Sequence, residues 1–332
     1  MSFHETIAPD ETTRFEQYAS ELAALQERRT RRTGKVSRAL HVKQHVGAVG
    51  ELVTTAPETS RVGVFATPGR RIPIYARFSS GTSARRPDNA PDIRGFALKL
   101  VGVPGKKIIA GLEQETTQDF LFINQPAIVF RDPEEFMIFV RAAMDGPARL
   151  LPRLFAGFGL RRGLQVLGRV AKTPKLRSFA TNAFHTASPI AFGATSAAKL
   201  ALFPLPCPPV PAASGPDALR ADLIRHLQAG PLAWSLRAQF FVDDKTTPIE
   251  DTSVAWSGPW VDLGTLTIPR QDPDSPQGRE IGELVDNLSF DPWHSIEEHR
   301  PLGAIMRARA VAYRASVIAR KAAPEPKSVL AL

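Results

Sequence analysis

The spacing of apolar and polar residues changes period several times along the chain. Residues 11–32, "ETTRFEQYASELAALQERRTRR", place apolar side chains at helical intervals without Pro or Gly, and predict a helix. Between 45 and 123 the period shortens. "HVGAVGELVTTA", "RVGVFA", "RIPIYARF", "RGFALKLVGV" and "TQDFLFI" are short, β-branched or alternating runs broken by Gly, Pro and Asp, and predict strands. "EEFMIFVRAAMDG" returns to a helical period, with Asp132 as N-cap and Pro133 in the first turn. "ARLLPRLFAGFGLRRGLQVLGRVAK" predicts one or two amphipathic helices, broken near Pro152 and near 157–159. "SAAKLALFPLP", "LAWSLRAQFFVD" and "WVDLGTLTIP" add strands, and "PLPCPPVPAASGP" is a turn-rich connector. "DALRADLIRHLQAG" is a short helix ending at Gly230, and "PLGAIMRARAVAYRASVIARKA" closes the chain as a helix. About eight short strands in succession, with helices inserted and appended, make an α+β chain whose antiparallel sheet would close into a β-barrel. Residues 1–35 form an N-terminal helical arm and 36–332 a single domain, with 146–216 a basic helical insertion and connector.

Composition places the chain among ordinary soluble proteins: 332 residues, 43% hydrophobic and 23% charged. No apolar run approaches the ~18 residues a membrane helix needs. The polar, acidic start "MSFHETIAPDETTRFEQ" argues against a secretory signal, and one cysteine excludes an internal disulfide. A cytoplasmic protein is expected, with peripheral attachment to a membrane kept open by the charge pattern. The net charge of +9 sits in one place. Residues 146–216 contain no Asp or Glu but hold nine cations: Arg149, Arg153, Arg161, Arg162, Arg169, Lys172, Lys175, Arg177 and Lys199. Leucines interleave with the arginines through 146–177. That pattern is consistent with docking on anionic lipid or with guiding a fatty carboxylate, and equally with a solvated basic face. Nucleic acid is not expected as a partner, because no nucleic-acid motif accompanies this segment or "ERRTRRTGK".

Candidate chemistry begins with His41 and His45, four apart in "SRALHVKQHVGAVGE". A zinc pair needs a helix here, yet no Glu separates the histidines and the following residues read as a strand. Cys207, the lone thiol, lies in the rigid "PLPCPPVP" and is a weak candidate for a thiolate ligand. In the closing helix Arg309, Tyr313, Ser316 and Arg320 follow at intervals of four, three and four, and so share one face. Neighbouring cations favour a phenolate, which is a hard ligand for ferric iron.

"RFSSGTSARRPDNAPDIRGFALKL" resembles the haem catalases, whose sequences carry an RFS segment followed by D-x-RGFA-x-K. "SRALH", "INQPAIVFRDPEEF" and "RARAVAYRASVIAR" are similar to further segments of that family, in the same order. The likeness runs from about Arg38 to Arg320, and the chain is much shorter than a full catalase, like the minimal catalase-related peroxidases and hydroperoxide-metabolising enzymes. The resemblance implies a catalase-like barrel core and haem b as cofactor. It implies Tyr313 as the axial ligand of the haem iron, with Arg309 holding it as phenolate. His41 would be the distal acid–base residue and Asn124 would orient the peroxide. Arg38, Arg77 and Arg320 would pair with haem propionates, Ser79 would position His41, and Phe136 would stack on the macrocycle. Val129 stands where catalases often carry an aromatic, implying a roomier distal pocket. The expected reaction is peroxidase turnover of hydrogen peroxide or organic hydroperoxides with an unidentified electron donor. Disproportionation of hydrogen peroxide is the enzymatic alternative, and haem or lipid binding without turnover is the alternative of another class. Full catalases are tetramers locked by parts this chain lacks, so their assembly is not carried over and an oligomer is left open.

Overall fold

The structure, a computed structural model, describes residues 3–34, 36–144, 147–172 and 175–332. Parts of the N-terminal arm (residues 1, 2 and 35) and of the basic segment (146, 173 and 174) lie outside the described residues. Side-chain alternation in β2 (Arg71–Ser80) sets the two faces of the sheet. Ile72, Ile74, Ala76 and Phe78 enter the main hydrophobic cluster, whereas Tyr75 packs in a separate cluster on the outer face, the side shared by Arg77 and Ser79. Strands β1 (Lys43–Thr54), β3 (Arg94–Val101) and β4 (Thr117–Ile123) flank β2 as an antiparallel meander. The remaining strands are β5 (Phe184–His185), β6 (Ile190–Phe192), β7 (Ser196–Pro204), β8 (Leu232–Phe240) and β9 (Val261–Ile268). They run in the order β5-β4-β3-β2-β1-β9-β8-β7-β6.

The short strand β5 closes the barrel. It pairs with β4 at Ile123–His185 and with β7 at Phe184–Leu202 and His185–Ala201, so eight strands form a ring and β6 hangs on β7 outside it. Closure satisfies the backbone groups that an open edge would leave unpaired. The interior is filled by aromatic side chains: Phe96 lies 4.2 Å from Phe78, 5.1 Å from Trp234 and 5.5 Å from Phe184, ring centre to ring centre. Truncating Trp234 to alanine would cost about 3–5 kcal/mol through lost burial and the cavity left behind.

Among the described residues six helices wrap the outside: α1 (Glu11–Thr33), α2 (Pro133–Met144), α3 (Pro147–Ala171), α4 (Ala218–Ala229), α5 (Pro276–Asn287) and α6 (Ala304–Ala319). The expected cap of α2 is present, with Asp132 Oδ1 accepting the Glu135 N–H at 2.9 Å. The break in α3 falls at Gly159 (φ 70°), while Pro152 stays inside the helix in its second turn and costs one backbone bond. Two expectations need correction. "RVGVFA" is not a strand but a 3₁₀ turn over Gly63–Phe65, because the Val64 N–H donates to His299 Nε2 (3.1 Å) rather than to a neighbouring strand. Helix α5 went unread, although Ser275–Pro276 is an N-terminal signal: Ser275 Oγ accepts the Gly278 N–H at 3.0 Å.

α6 is fixed by charge as well as packing. Arg307 binds Glu11 (2.5 Å), Glu5 (2.6 Å) and Glu250 (3.2 Å), joining α6 to α1 and to the segment before it. Among the described residues no helix is long and apolar enough to cross a membrane.

Candidate functional site

Arg38, His41, Arg77 and Ser79 gather on the outer wall of the barrel, over β1–β3 and beside the end of α5. His41 precedes β1 with φ 54°, a left-handed conformation that a β-carbon disfavours. Three bonds hold it there. Its N–H donates to Gly81 O (3.0 Å), its carbonyl accepts from Arg77 Nη2 (3.0 Å), and its Nδ1 lies 3.0 Å from Ser79 Oγ. Strain retained by so many partners marks a position the fold over-determines. Gly95 on β3 backs the ring: a β-carbon there would stand 2.7 Å from both His41 Cε1 and Nδ1. Burial, reinforced by the charges of Arg77, Arg309 and Arg38, pushes the His41 pKa down to about 3. The imidazole is therefore neutral throughout the physiological range, with Nδ1 committed to Ser79.

His41 and His45 do not converge. His45 Nε2 lies 2.9 Å from Ser80 Oγ, and Ser79 and Ser80 point to opposite faces of β2. His45 is buried on the inner side against Phe179, 5.2 Å away between ring centres. Cys207 sits on the connector with Sγ 3.8 Å from His226 Nδ1, and burial, then Asp222, pushes its thiol pKa up.

Asn124 lies at the end of β4, beside the same wall. Its Oδ1 accepts the Arg94 N–H (2.8 Å) and its N–H donates to Arg94 O (3.0 Å), which fixes the amide one residue from Gly95. The bonded oxygen leaves the Nδ2 hydrogens as donors. Phe136 is placed apart, in the α1–α2–α6 cluster, with its ring 5.7 Å from Phe130.

Three arginines meet at the end of α5. Asp286 Oδ1 receives Arg77 at 2.9 Å and Arg38 at 3.0 Å, while Arg38 and Arg320 each donate to Leu288 O at 2.6 Å. Desolvation, followed by repulsion from Arg77 and Arg320, lowers the Arg38 pKa well below its usual value. Desolvation with Arg77 brings Arg320 to about 10. On α6, Arg309 Nη2 donates to Tyr313 OH (2.8 Å), and its guanidinium carbon lies 5.0 Å from the Tyr313 ring centre. Tyr313 acts electrostatically on Arg38 and Arg77, and Arg309 on His41, so these two side chains of α6 lie within reach of the charges on the wall.

Sequence reading missed Asp286, Gly95 and Arg29. Arg29 of α1 donates to Ala39 O (3.2 Å), Ser83 O (2.5 Å) and Arg38 O, clasping the loop that carries His41. Gly95 lay within a quoted motif, but its role is visible only against the His41 ring. Asp286 and Arg29 carried no local signal, since each acts on residues remote in the chain or across a loop.

The family model named Catalase matches residues 23–156, from within α1 to within α3. Solved catalases superpose on most of the chain. A fungal catalase has a TM-score of 0.63 at 19% identity, covering 86% of this chain and 59% of that one. The chain has the catalase fold. Catalase A from Saccharomyces cerevisiae gives a TM-score of 0.63 at 17% identity over 89% of this chain and 63% of its own. A bacterial catalase gives 0.62 at 18% over 87% and 58%. This catalase-like chain thus spans about three-fifths of the length of those structures. No curated protein matches it.

Proposed function

We propose that the chain is a haem-dependent peroxidase that turns over hydrogen peroxide or organic hydroperoxides. The observation that carries this reading is the pairing of a neutral, strained His41 with a cationic frame and a tyrosine–arginine pair in one site. The residues suit haem b. Arg38, Arg77 and Arg320 are three guanidiniums around one carboxylate, Asp286, and the two propionates of haem would supply the missing negative charge. Tyr313 Oη, receiving a bond from Arg309, is an oxygen donor suited to ferric iron. Haem, when bound, supplies the two-electron chemistry of O–O cleavage.

The chain's own residues would manage protons and orientation. With Nδ1 held by Ser79, His41 Nε2 is the atom left to take a proton from one peroxide oxygen and return it to the other. Neutrality at working pH lets it act as a base first. The Asn124 Nδ2 hydrogens would donate to the peroxide and stabilise charge as the bond lengthens. Arg309, donating to the Tyr313 oxygen, would hold it in place for the metal.

The visible spectrum of haem-loaded protein tests the assignment. Wild type should give a high-spin ferric spectrum, and Tyr313→Phe should change or lose it; an unchanged mutant spectrum refutes the ligand. His41→Ala should keep haem and lose peroxide reactivity, and an undiminished rate removes His41 from the mechanism. Oxygen evolution at a rate that accounts for all peroxide consumed would identify disproportionation as the reaction instead.

A further inference from the structure

Helix α3 uses only part of its surface. Leu154 and Val166 are fully buried, and Arg162 reaches back to Glu135 at 2.5 Å, anchoring α3 on α2. Three of its leucines face water: Leu151, 50% exposed, before the break at Gly159, and Leu160, 70%, and Leu164, 56%, one turn apart after it. Arg149, Arg153, Arg161 and Arg169 lie exposed among them, with Lys172 just beyond the helix, and residues 148–172 contain no acidic side chain. Alongside, α1, α2 and α3 enclose a groove of about 580 Å³ with Ala24, Ile138, Met144 and Ala156 among its walls and Arg28 and Arg153 lining it too. Glu21, also in the groove, is bound by Arg141 at 2.9 Å.

We propose that the outer face of α3 docks on an anionic lipid membrane, with Leu151, Leu160 and Leu164 entering the interface and Arg149, Arg161 and Lys172 meeting the headgroups. Large leucines at this exposure are costly in water and favourable at an acyl boundary, and cations beside them complement lipid phosphates. A two-fold contact with a second copy would set the same acid-free face against itself, cation to cation. Nucleic acid would match the charge but offers the leucines nothing to enter. The surface exists whether or not the chain holds haem, so its test is independent of the activity above.

Sedimentation with sucrose-loaded vesicles, full-length protein against phosphatidylcholine alone and against phosphatidylcholine with phosphatidylserine, reads this directly. Binding is expected only with phosphatidylserine. It should fall about fivefold for each of Arg149→Ser and Arg161→Ser, and at least about tenfold for Leu151→Ser/Leu160→Ser/Leu164→Ser. Leu160→Trp gives a second readout: its fluorescence should shift to the blue on vesicles and be quenched by brominated acyl chains. Absence of sedimentation with phosphatidylserine overturns the proposal. So do undiminished binding by the leucine variant, an unquenched Leu160→Trp, a leucine variant that changes only self-association, and binding to duplex DNA that exceeds binding to the vesicles.

Discussion

Replacing Gly95 by alanine asks whether the barrel wall sets the position of His41. The new β-carbon would stand 2.7 Å from His41 Cε1 and Nδ1 and 2.9 Å from Ser79 Oγ. Ordinary carbon contacts begin near ~3.5 Å, so the ring must retreat by roughly 1 Å. The Nδ1–Oγ pair, 3.0 Å apart, then passes out of hydrogen-bond range. Crowding of this kind costs about 1–3 kcal/mol. With an unfolding entropy of about 2.1 cal/mol/K per residue, the 332-residue chain should lose only about 1–4 °C in Tm. Reactivity should suffer far more, because a ~1 Å error in a reacting group costs about 10²-fold. Stopped-flow mixing of haem-loaded protein with hydrogen peroxide measures the rate, and the visible spectrum checks that haem content is unchanged. Gly168→Ala serves as the control: it lies in α3 with no atom within 4 Å of the new β-carbon, and should stabilise slightly without touching the rate. A haem-replete Gly95→Ala enzyme as fast as wild type would refute the claim that this wall positions His41.

Other predictions follow from the charges. Asp286→Asn leaves Arg38 and Arg77 without their carboxylate and should destabilise by about 1–3 kcal/mol in urea titrations, less than a fully buried pair because Asp286 is partly exposed. Burial raises the Asp286 pKa, but Arg77 and Arg38 outweigh it and hold the net value low. The stabilisation is therefore full above the unfolded value of ~3.9, and wild type should lose its advantage over the variant as pH falls through the lower folded value. Burial depresses the pKa of His41 to about 3, of His294 to about 2 and of His299 to about 4 from 6.5. At each of these histidines the unfolded chain binds more protons between pH 6.5 and 4, so each should cost up to about 1.4 kcal/mol of stability per pH unit as pH falls, while Asp119 and Asp291, whose pKa values burial raises, act in the opposite direction. His299→Phe should flatten the fall relative to wild type, and an unchanged difference across that window would exclude a neutral buried imidazole there. Glu325 fixes the C-terminal tail by binding the fully buried Lys99 at 2.7 Å, with Thr117 Oγ1 donating to it at 2.6 Å. Glu325→Gln should cost about 3–5 kcal/mol and expose the tail to trypsin at Lys327, and a loss below about 1 kcal/mol would show that Asp119 suffices for Lys99.

Most of the secondary structure was legible because it rests on local periodicity. The alternation in "RIPIYARF" is the inside–outside alternation of β2, and the helical interval from Arg309 to Tyr313 is the hydrogen bond between them. Helix α5 carried its local Ser275–Pro276 signal, whereas two other departures lie beyond local periodicity. "RVGVFA" has the alternation of a strand, but His299, more than 230 residues away, takes its backbone hydrogen bond. β5 is two residues long, too short for any period, yet it closes the barrel.

The sequence by itself determined the menu of chemistry: a histidine after Arg-x-x, a tyrosine one turn from an arginine, an excess of cations, and enough strands for a barrel. Only the tertiary structure decided how these act together. It sends His41 and His45 to opposite faces of β2, gathers Arg38, Arg77 and Arg320 around Asp286, and sets a glycine behind the imidazole. It also leaves three leucines of a basic helix in water. Side-chain type and period are local properties, written in neighbouring residues. Charge balance, burial and close contact belong to pairs that the chain brings together from far apart, and no local pattern encodes them.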